Sequence, residues 1–391
     1  MIRRHLSDVC VRAFGQYPVL TVTGPRQSGK TTLARMTFDT LPYLNLEHLN
    51  TLQRAQLDPV GFIDALPNGA IIDEIQRAPE LLSQIQVSVD ERRRNGMFVL
   101  TGSSQMSLME GVSQSLAGRT LLLKLLPFSL SELRESGLNT DLDADNLMYS
   151  GFYPRIFDQH LNPTELLGAY IETYVERDLR GFAQIRDLSL FRRFLSLCAG
   201  RVGQLFNASS LANDVGVSKT TITTWASILE ASYILYFVQP FHANIRKRLV
   251  KSPKLYFYDT GLVSYLLGIE SAAQIATHPL RGNLFENFVI SEVLKHGFNQ
   301  ARSANIAFFR DSNGNEVDLM VQRADQWIPI EIKSAKTFRQ EQLNGLQYIM
   351  KLLPGKIISP MLLHAGEETW QLDDITVANI SHLSEHLSGL Y

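Results

Sequence analysis

Residues 18–33 read Pro18-Val19-Leu20-Thr21-Val22-Thr23-Gly24-Pro25-Arg26-Gln27-Ser28-Gly29-Lys30-Thr31-Thr32-Leu33, and this stretch decides the fold. Pro18–Thr23 is a short β-branched run bounded by turn residues, the pattern of a buried strand. Gly24 and Gly29 permit a tight chain path, and a helix is expected from Lys30 to Phe38. A strand, a glycine turn and a helix in that order can cradle phosphate. Backbone N–H groups then point inward, and the helix start adds its positive end. Lys30 is placed to reach the β- and γ-phosphates, and Thr31 to set its hydroxyl on Mg²⁺. The expected nucleotide contacts are Gly24, Pro25, Arg26, Gln27, Ser28, Gly29, Lys30, Thr31 and Thr32. A plain glycine turn beside a surface lysine would look similar, but the flanking strand and helix argue against it.

Outward from the loop, Ala70–Ile72 and Met97–Thr101 are apolar runs bounded by polar turns, with a helical pattern from Glu80 to Arg93 between them. Leu121–Leu125 supplies another strand. Strands and helices alternating through short links predict a parallel sheet covered on both faces. Asp73 and Glu74 close the first of these runs, where a metal-holding carboxylate belongs. Asp73 is assigned to Mg²⁺ through water, and Glu74 to orienting the attacking water. The plainer alternative is a helix N-cap Asp followed by a first-turn Glu.

Ser103, in Thr101-Gly102-Ser103-Ser104, could touch the γ-phosphate or the lytic water, or merely end a strand. Arg119 precedes the next strand. It is expected either to reach a neighbouring subunit's γ-phosphate or to be an exposed surface arginine. No Asn-Lys-x-Asp guanine-reading motif occurs, and Ser334-Ala335-Lys336 falls in another domain, so the expected nucleotide is ATP.

Composition sets bounds on the rest. The chain has 391 residues, 45% hydrophobic and 19% charged, which is ordinary for folded domains and long enough for two or three. A net charge of −2 supplies no global basic field, so any nucleic-acid contact must be local. Cys10 and Cys198 lack metal-ligand spacing and fit a reducing compartment. No apolar stretch is long enough to span a bilayer: the greasiest, Leu121–Leu130, holds Lys124 and Pro127. The expectation is a cytoplasmic protein with no membrane partner.

From Phe128 the texture turns helical, with Leu166, Leu167, Tyr170, Ile171 and Tyr174 at helical spacing, as in a lid. Ser209–Val217 predicts a helix and a glycine turn, and Ser218 caps a second helix through Leu229. A strand, Tyr233–Val238, follows, completing a helix-turn-helix with a wing. Lys219, Thr220, Thr221 and Thr224 are placed to face a DNA groove, with Trp225, Ile228 and Leu229 as core. Ile245–Lys254 is expected to be a linker. It carries Arg246, Lys247, Arg248, Lys251 and Lys254 and could grip phosphates.

Three acidic residues and a lysine stand out near the C-terminus. Glu286 lies on a predicted helix, Asn283–Lys295, on an arc shared with Val289, Ile290 and Val293. Asp318 lies on a strand, and Glu331 and Lys333 share one face of the next. Glu286, Asp318 and Glu331 are candidate Mg²⁺ ligands. Lys333 is the candidate for positioning or activating a water, with Asp318 and Glu331 beside it. None of the nine histidines belongs to a metal-spaced set.

The strings Gly24–Leu33, Ile72–Leu81, Leu100–Ser104 and Leu116–Arg119 together resemble the AAA-type ATPases of bacteria and archaea that carry a poorly characterised C-terminal half. Gly151-Phe152-Tyr153-Pro154, Tyr174-Val175-Glu176-Arg177-Asp178 and Phe257-Tyr258-Asp259-Thr260-Gly261-Leu262 look like the same family. Asp318 followed by Glu331-x-Lys333 resembles the skeleton of the PD-(D/E)xK nuclease fold. The resemblance implies an α/β chain with four parts: a P-loop NTPase core of AAA+ type over 1–127, a helical lid over 128–188, a winged helix over 189–242, and a PD-(D/E)xK nuclease-like α/β domain over 243–391.

The expected function is ATP hydrolysis with Mg²⁺, coupled to DNA binding and to Mg²⁺-dependent DNA cleavage if the nuclease-like site is active. A homo-oligomer is expected because Arg119 would act across an interface, and a ring is one such form. The alternative is a non-cleaving ATP switch that binds DNA or a partner protein. A purely protein-remodelling ATPase would leave the basic stretch without a role.

Overall fold

The computed structural model describes residues 2–103, 112, 115–137, 143–175, 187–241, 250–303, 305–380 and 383–388. Its N-terminal part is a five-stranded sheet in the order β2-β3-β4-β1-β5, every pairing parallel. The strands are β1 (Val19–Thr23), β2 (Tyr43–Asn45), β3 (Ala70–Asp73), β4 (Phe98–Gly102) and β5 (Thr120–Lys124). β1 and β4 are buried at every position, as a sheet covered on both faces requires. Helices α1 (Leu6–Phe14) and α2 (Lys30–Thr37) contribute to one core layer, with Leu6, Leu33 and Val99. Helices α3 (Leu49–Leu57), α4 (Pro59–Asp64) and α5 (Glu80–Arg92) build the other, with Ala55, Phe62 and Ile85.

The segment expected to form a lid holds four short helices, α6 (Leu130–Glu135), α7 (Ala144–Ser150), α8 (Pro154–Asp158) and α9 (Pro163–Tyr170). Ser129 begins α6 with a capping box: its hydroxyl accepts from the Glu132 amide, and the Glu132 carboxylate accepts from the Ser129 amide. Next come α10 (Leu188–Ala199), α11 (Ala208–Val215) and α12 (Lys219–Ala231). α11 ends at Gly216 in the left-handed region, and the Ser218 side chain caps α12, which gives the expected helix, turn and helix. The strand expected from Tyr233 instead begins two residues later, as β6 (Leu235–Pro240). Tyr233 has φ +58°, which no strand residue adopts.

The C-terminal sheet is mixed, in the order β12-β13-β11-β10-β9-β8-β6-β7. Its further strands are β7 (Lys254–Phe257), β8 (Ile306–Arg310), β9 (Glu316–Arg323), β10 (Gln326–Lys333), β11 (Met361–His364), β12 (Trp370–Leu372) and β13 (Ile375–Asn379). Helices α13 (Thr260–Leu266), α14 (Ala272–Thr277), α15 (Arg281–Asn299), α16 (Asn344–Leu352) and α17 (Leu383–Ser388) complete this part. β8, β9 and β10 form an antiparallel meander after α15, and β11 returns through α16 to lie parallel to β10.

The sheet runs across residue 242: β6 pairs antiparallel with β7 and parallel with β8. One hydrophobic core joins the helices α6–α9, the pair α11 and α12, and α15, with Phe152, Trp225 and Phe288 among its buried side chains. Among the described residues, no helix is long and apolar enough to cross a membrane.

Candidate nucleotide site and C-terminal acidic cluster

β1 delivers the chain to the loop, and local sterics fix the residue types there. A Cβ on Gly24 would lie 2.1 Å from the Leu125 carbonyl oxygen, and Gly24 has φ +149°, so only glycine fits. Gly29 has φ +93° and is the N-cap of α2. The Lys30 ammonium turns back onto the loop, donating to the Gly24 and Pro25 carbonyls at 3.0 and 2.7 Å. Burial pushes its pKa down to about 8, with the Glu74 and Asp73 carboxylates opposing. Beside it opens a cavity of about 780 Å³, lined by Arg26, Gln27, Gly29, Lys30, Thr31, Thr32 and Glu74 among others.

The Thr31 hydroxyl donates to Asp73 Oδ2 at 2.9 Å, joining the first turn of α2 to the end of β3. The Tyr43 phenol donates to the same oxygen at 2.7 Å, and the Thr101 hydroxyl donates to Oδ1. Asp73 therefore lies buried among three hydroxyls contributed by α2, β2 and β4. Glu74 has φ +58°, a strained setting for a non-glycine residue. Its Oε2 accepts from Ser103 Oγ at 3.2 Å and from the Gln76 amide. Ser103 is thus held to Glu74, and Ser104 lies outside the described residues. The Ser28 side chain is fully buried without a hydrogen-bond partner, so this loop position can offer a ligand only its backbone.

Arg119 stands just before β5, the end of the sheet opposite the loop, because β5 and β1 run parallel from Thr120 and Val19. About five strand residues, roughly 16 Å, separate it from its own loop. Its guanidinium grips Asp90 with two bonds, of 2.6 and 2.7 Å.

In the C-terminal part, Glu286, Asp318, Glu331 and Lys333 lie within one cluster with Lys254, Tyr256 and Glu316, in which Lys254, Tyr256, Asp318 and Glu331 are buried and Glu286, Glu316 and Lys333 partly buried. Glu286 was expected on an apolar arc; instead its Oε1 accepts from Lys254 Nζ at 2.9 Å and from the Tyr256 phenol. Lys254, expected in a basic linker, begins β7, is 3% exposed and also pairs with Glu316 at 2.7 Å. Burial works against its charge, yet Glu286, Asp318 and Glu316 hold its pKa above the usual lysine range.

Lys333 bridges Glu331 and Asp318 at 2.5 and 3.4 Å, and Asp318 Oδ2 also accepts from the Ile332 amide at 2.8 Å. Burial, then the Asp318 charge, pushes Glu331 up to about 8 and Glu286 up to about 7. Glu331 Oε2 is buried with no hydrogen-bond partner. Among the described residues, no three His, Cys, Asp or Glu side chains converge as a metal cage.

Lys219, Thr220 and Thr224 are exposed on α12, while Trp225, Ile228 and Leu229 are buried. Lys251 is exposed, and Arg246, Lys247 and Arg248 lie outside the described residues, as do Glu176, Arg177 and Asp178. Two motif strings dock on each other: the Asp259 carboxylate caps α13 and accepts from the Phe152 amide at 2.7 Å.

Several contributors gave no sequence signal. Arg4, Tyr43 and Tyr233 act through partners distant in the chain. Thr101 does sit in a quoted motif, where its place at a strand end beside the acidic pair could have singled it out.

Three family models match the chain: an AAA domain over residues 16–134, and two domains of unknown function, DUF8612 over 141–273 and DUF4143 over 281–383. The chain is 30% identical over 381 residues to "Uncharacterized protein Rv2008c" of Mycobacterium tuberculosis, covering 96% of this chain and 83% of that protein. An uncharacterized protein of Haemophilus influenzae is 24% identical over 383 residues, covering 85% of this chain and 92% of the relative. Among solved structures, the Walker-type ATPase PABY2304 of Pyrococcus abyssi aligns at 14% identity and a TM-score of 0.44, covering 67% of this chain and 94% of that one. With an AAA domain on the nucleotide site and a DUF4143 domain on the acidic cluster, the chain belongs to the family of the mycobacterial protein, an AAA-type ATPase with a C-terminal domain of unknown function.

Proposed function

We propose that the chain binds and hydrolyses ATP with Mg²⁺, and that turnover switches a C-terminal half that engages DNA without cutting it. The observation that carries the first part is the 2.9 Å bond from Thr31 to Asp73 beside Lys30 and the cavity. A hydroxyl and a carboxylate are hard oxygen donors, the set that Mg²⁺ favours, so Thr31 and Asp73 would hold it. Mg²⁺, when bound, offsets charge on the phosphate oxygens. The chain's own residues do the rest. Phosphate oxygens would replace the Gly24 and Pro25 carbonyls as acceptors for Lys30, and Glu74, steadied by Ser103 and Gln76, would orient water. Arg119, too far from its own loop, would serve a neighbouring protomer in a homo-oligomer. Phosphate release from ATP by wild type, absent in Lys30→Ala, tests this directly; turnover surviving in the variant would reject the loop assignment.

For the C-terminal half, helix, meander, helix and parallel strand support a nuclease-like layout. The donor set does not fit a catalytic metal: among the described residues no three such side chains converge, and Lys254, Tyr256, Lys333 and the Ile332 amide already engage one oxygen each of Glu286, Asp318 and Glu331. That arrangement favours the non-cleaving switch. The exposed Lys219, Thr220 and Thr224 on α12 support DNA as its partner. Salt-sensitive DNA retention that weakens in Lys219→Ala would bear this out, and salt-independent retention would point to a protein partner instead.

A further inference from the structure

We propose that Arg4 is a positioning residue for the phosphate-binding loop, aiming the Gly29 amide and tying the loop to the lid. This rests on the ATP reading given above.

Arg4 approaches from the segment before α1, yet its side chain is 7% exposed and every nitrogen of its guanidinium donates. Nη1 donates to the Ser28 carbonyl at 2.7 Å. Nη2 donates to the Leu126 carbonyl at 2.7 Å, and Nε to Glu132 Oε1 at 3.0 Å. The plane also lies over Phe128, 4.9 Å from the ring centre. One planar, permanently charged fork therefore holds the loop, the exit of β5 and α6 at once, a geometry that lysine cannot reproduce.

The Ser28 contact bears on ligand binding. A trans peptide is planar, so its C=O and the next residue's N–H point in opposite directions. With the Ser28 carbonyl drawn onto Arg4, the Gly29 amide is turned to the opposite side of that peptide, and both Gly29 and Arg4 line the cavity. Gly29 has φ +93°, one of several conformations open to glycine without strain, so the bond to Arg4 selects this orientation of the peptide from among them.

Glu132 fixes the anchor in its turn. It accepts from Arg4, from the His5 amide at 2.8 Å and from the Ser129 amide at 2.9 Å, all without solvent exposure of its side chain. The first lid helix thus sets the position of Arg4, and Arg4 sets the loop. A lid displacement would reach the Gly29 amide through two contacts.

The test titrates fluorescently labelled ATP with Mg²⁺ into the full chain as wild type, Lys30→Ala, Arg4→Lys, Arg4→Ala and Ile349→Val. Ile349 is buried in the C-terminal core, remote from the loop, and supplies a destabilised control with the site intact. Wild type should bind and Lys30→Ala should not. Both Arg4 variants should bind about tenfold or more weakly, the loss expected for roughly one anchoring interaction. Added guanidinium should restore Arg4→Ala but not Lys30→Ala, and sodium chloride of equal ionic strength should restore neither. Ile349→Val should lose thermal stability and keep its affinity.

Wild-type affinity in Arg4→Lys would overturn the proposal. So would a deficit in Arg4→Ala that guanidinium does not relieve, or an affinity loss in Ile349→Val that matches its loss of stability. Arg4→Lys keeps a charge beside Glu132, so it decides the matter if Arg4→Ala fails to fold. Failure of the wild type to bind at all would remove the ATP reading itself.

Discussion

The Tyr233 phenol lies 2.8 Å from the hydroxyl of Thr23, so the turn between α12 and β6 is bonded to the last residue before the phosphate-binding loop. Both side chains are buried, and Tyr233 holds its place in the left-handed backbone region. Removing the phenol in Tyr233→Phe should cost about 1 kcal/mol, the typical net value of a buried hydrogen bond. A urea melt monitored by tryptophan fluorescence would show it, and an unchanged midpoint would mean that the bond adds nothing.

Glu74→Gln should bind ATP as wild type does yet turn it over at least about a hundredfold more slowly, the scale of a lost general-base contribution. Parallel measurements of nucleotide affinity and phosphate release separate the two. Equal losses in both would make Glu74 a binding residue.

Arg119→Ala should bind nucleotide normally, because among the described residues its side chain bonds only to Asp90 and Ala117, at the far end of the sheet. Its turnover should fall. Mixing it with Glu74→Gln should recover part of the lost activity, since a mixed pair presents one complete site: the Arg119→Ala protomer supplies an intact pocket, and the Glu74→Gln protomer supplies the arginine. No recovery would leave Arg119 as a structural partner of Asp90 alone.

The acidic cluster should give the protein a pH-dependent stability. Glu331 is pushed up to about 8 in the folded chain, above its ordinary value of 4.5, chiefly by burial. The folded state therefore holds a proton that the unfolded state releases, and this stabilisation is complete below the ordinary value and lost as pH rises through about 8. Glu331→Gln keeps the shape without the titration. Melting temperatures across about pH 5 to 9 should fall more steeply for wild type than for the variant. Parallel curves would show that Glu331 stays ionised throughout.

Supercoiled plasmid incubated with Mg²⁺ should be cut no faster by wild type than by Asp318→Ala. Cutting confined to the wild type would reverse the non-cleaving assignment and show that a metal displaces Lys254 or Lys333 from the cluster.

The phosphate-binding loop was legible in the sequence because its chemistry is local. Positive φ values call for glycine at 24 and 29, and the lysine and threonine follow at fixed offsets on one helix start. Asp73 was legible for a similar reason, as the acid that ends a strand of the same sheet. Arg4 was not, because its partner Glu132 is 128 positions away and nothing near either residue marks the pairing. Lys254 was misread as part of a linker because charge along a chain predicts exposure only when no partly buried carboxylate waits elsewhere. Here Glu286 and Glu316 supply two. Tyr233 fitted a strand by composition, and only the tertiary turn set its backbone apart.

The strand β6 has one neighbour from the segment just after it and another that follows α15, more than 60 residues further along the chain. Genetic recombination that joined two relatives at residue 242 would give one parent's β6 to the other parent's β7 and β8, and hybrids would survive only where both surfaces of that strand still matched. A polypeptide starting there would expose the flank of β8 as an open template for self-association. The C-terminal half can therefore diverge in step with the helix-turn-helix, but it cannot be shuffled apart from it as an independent module.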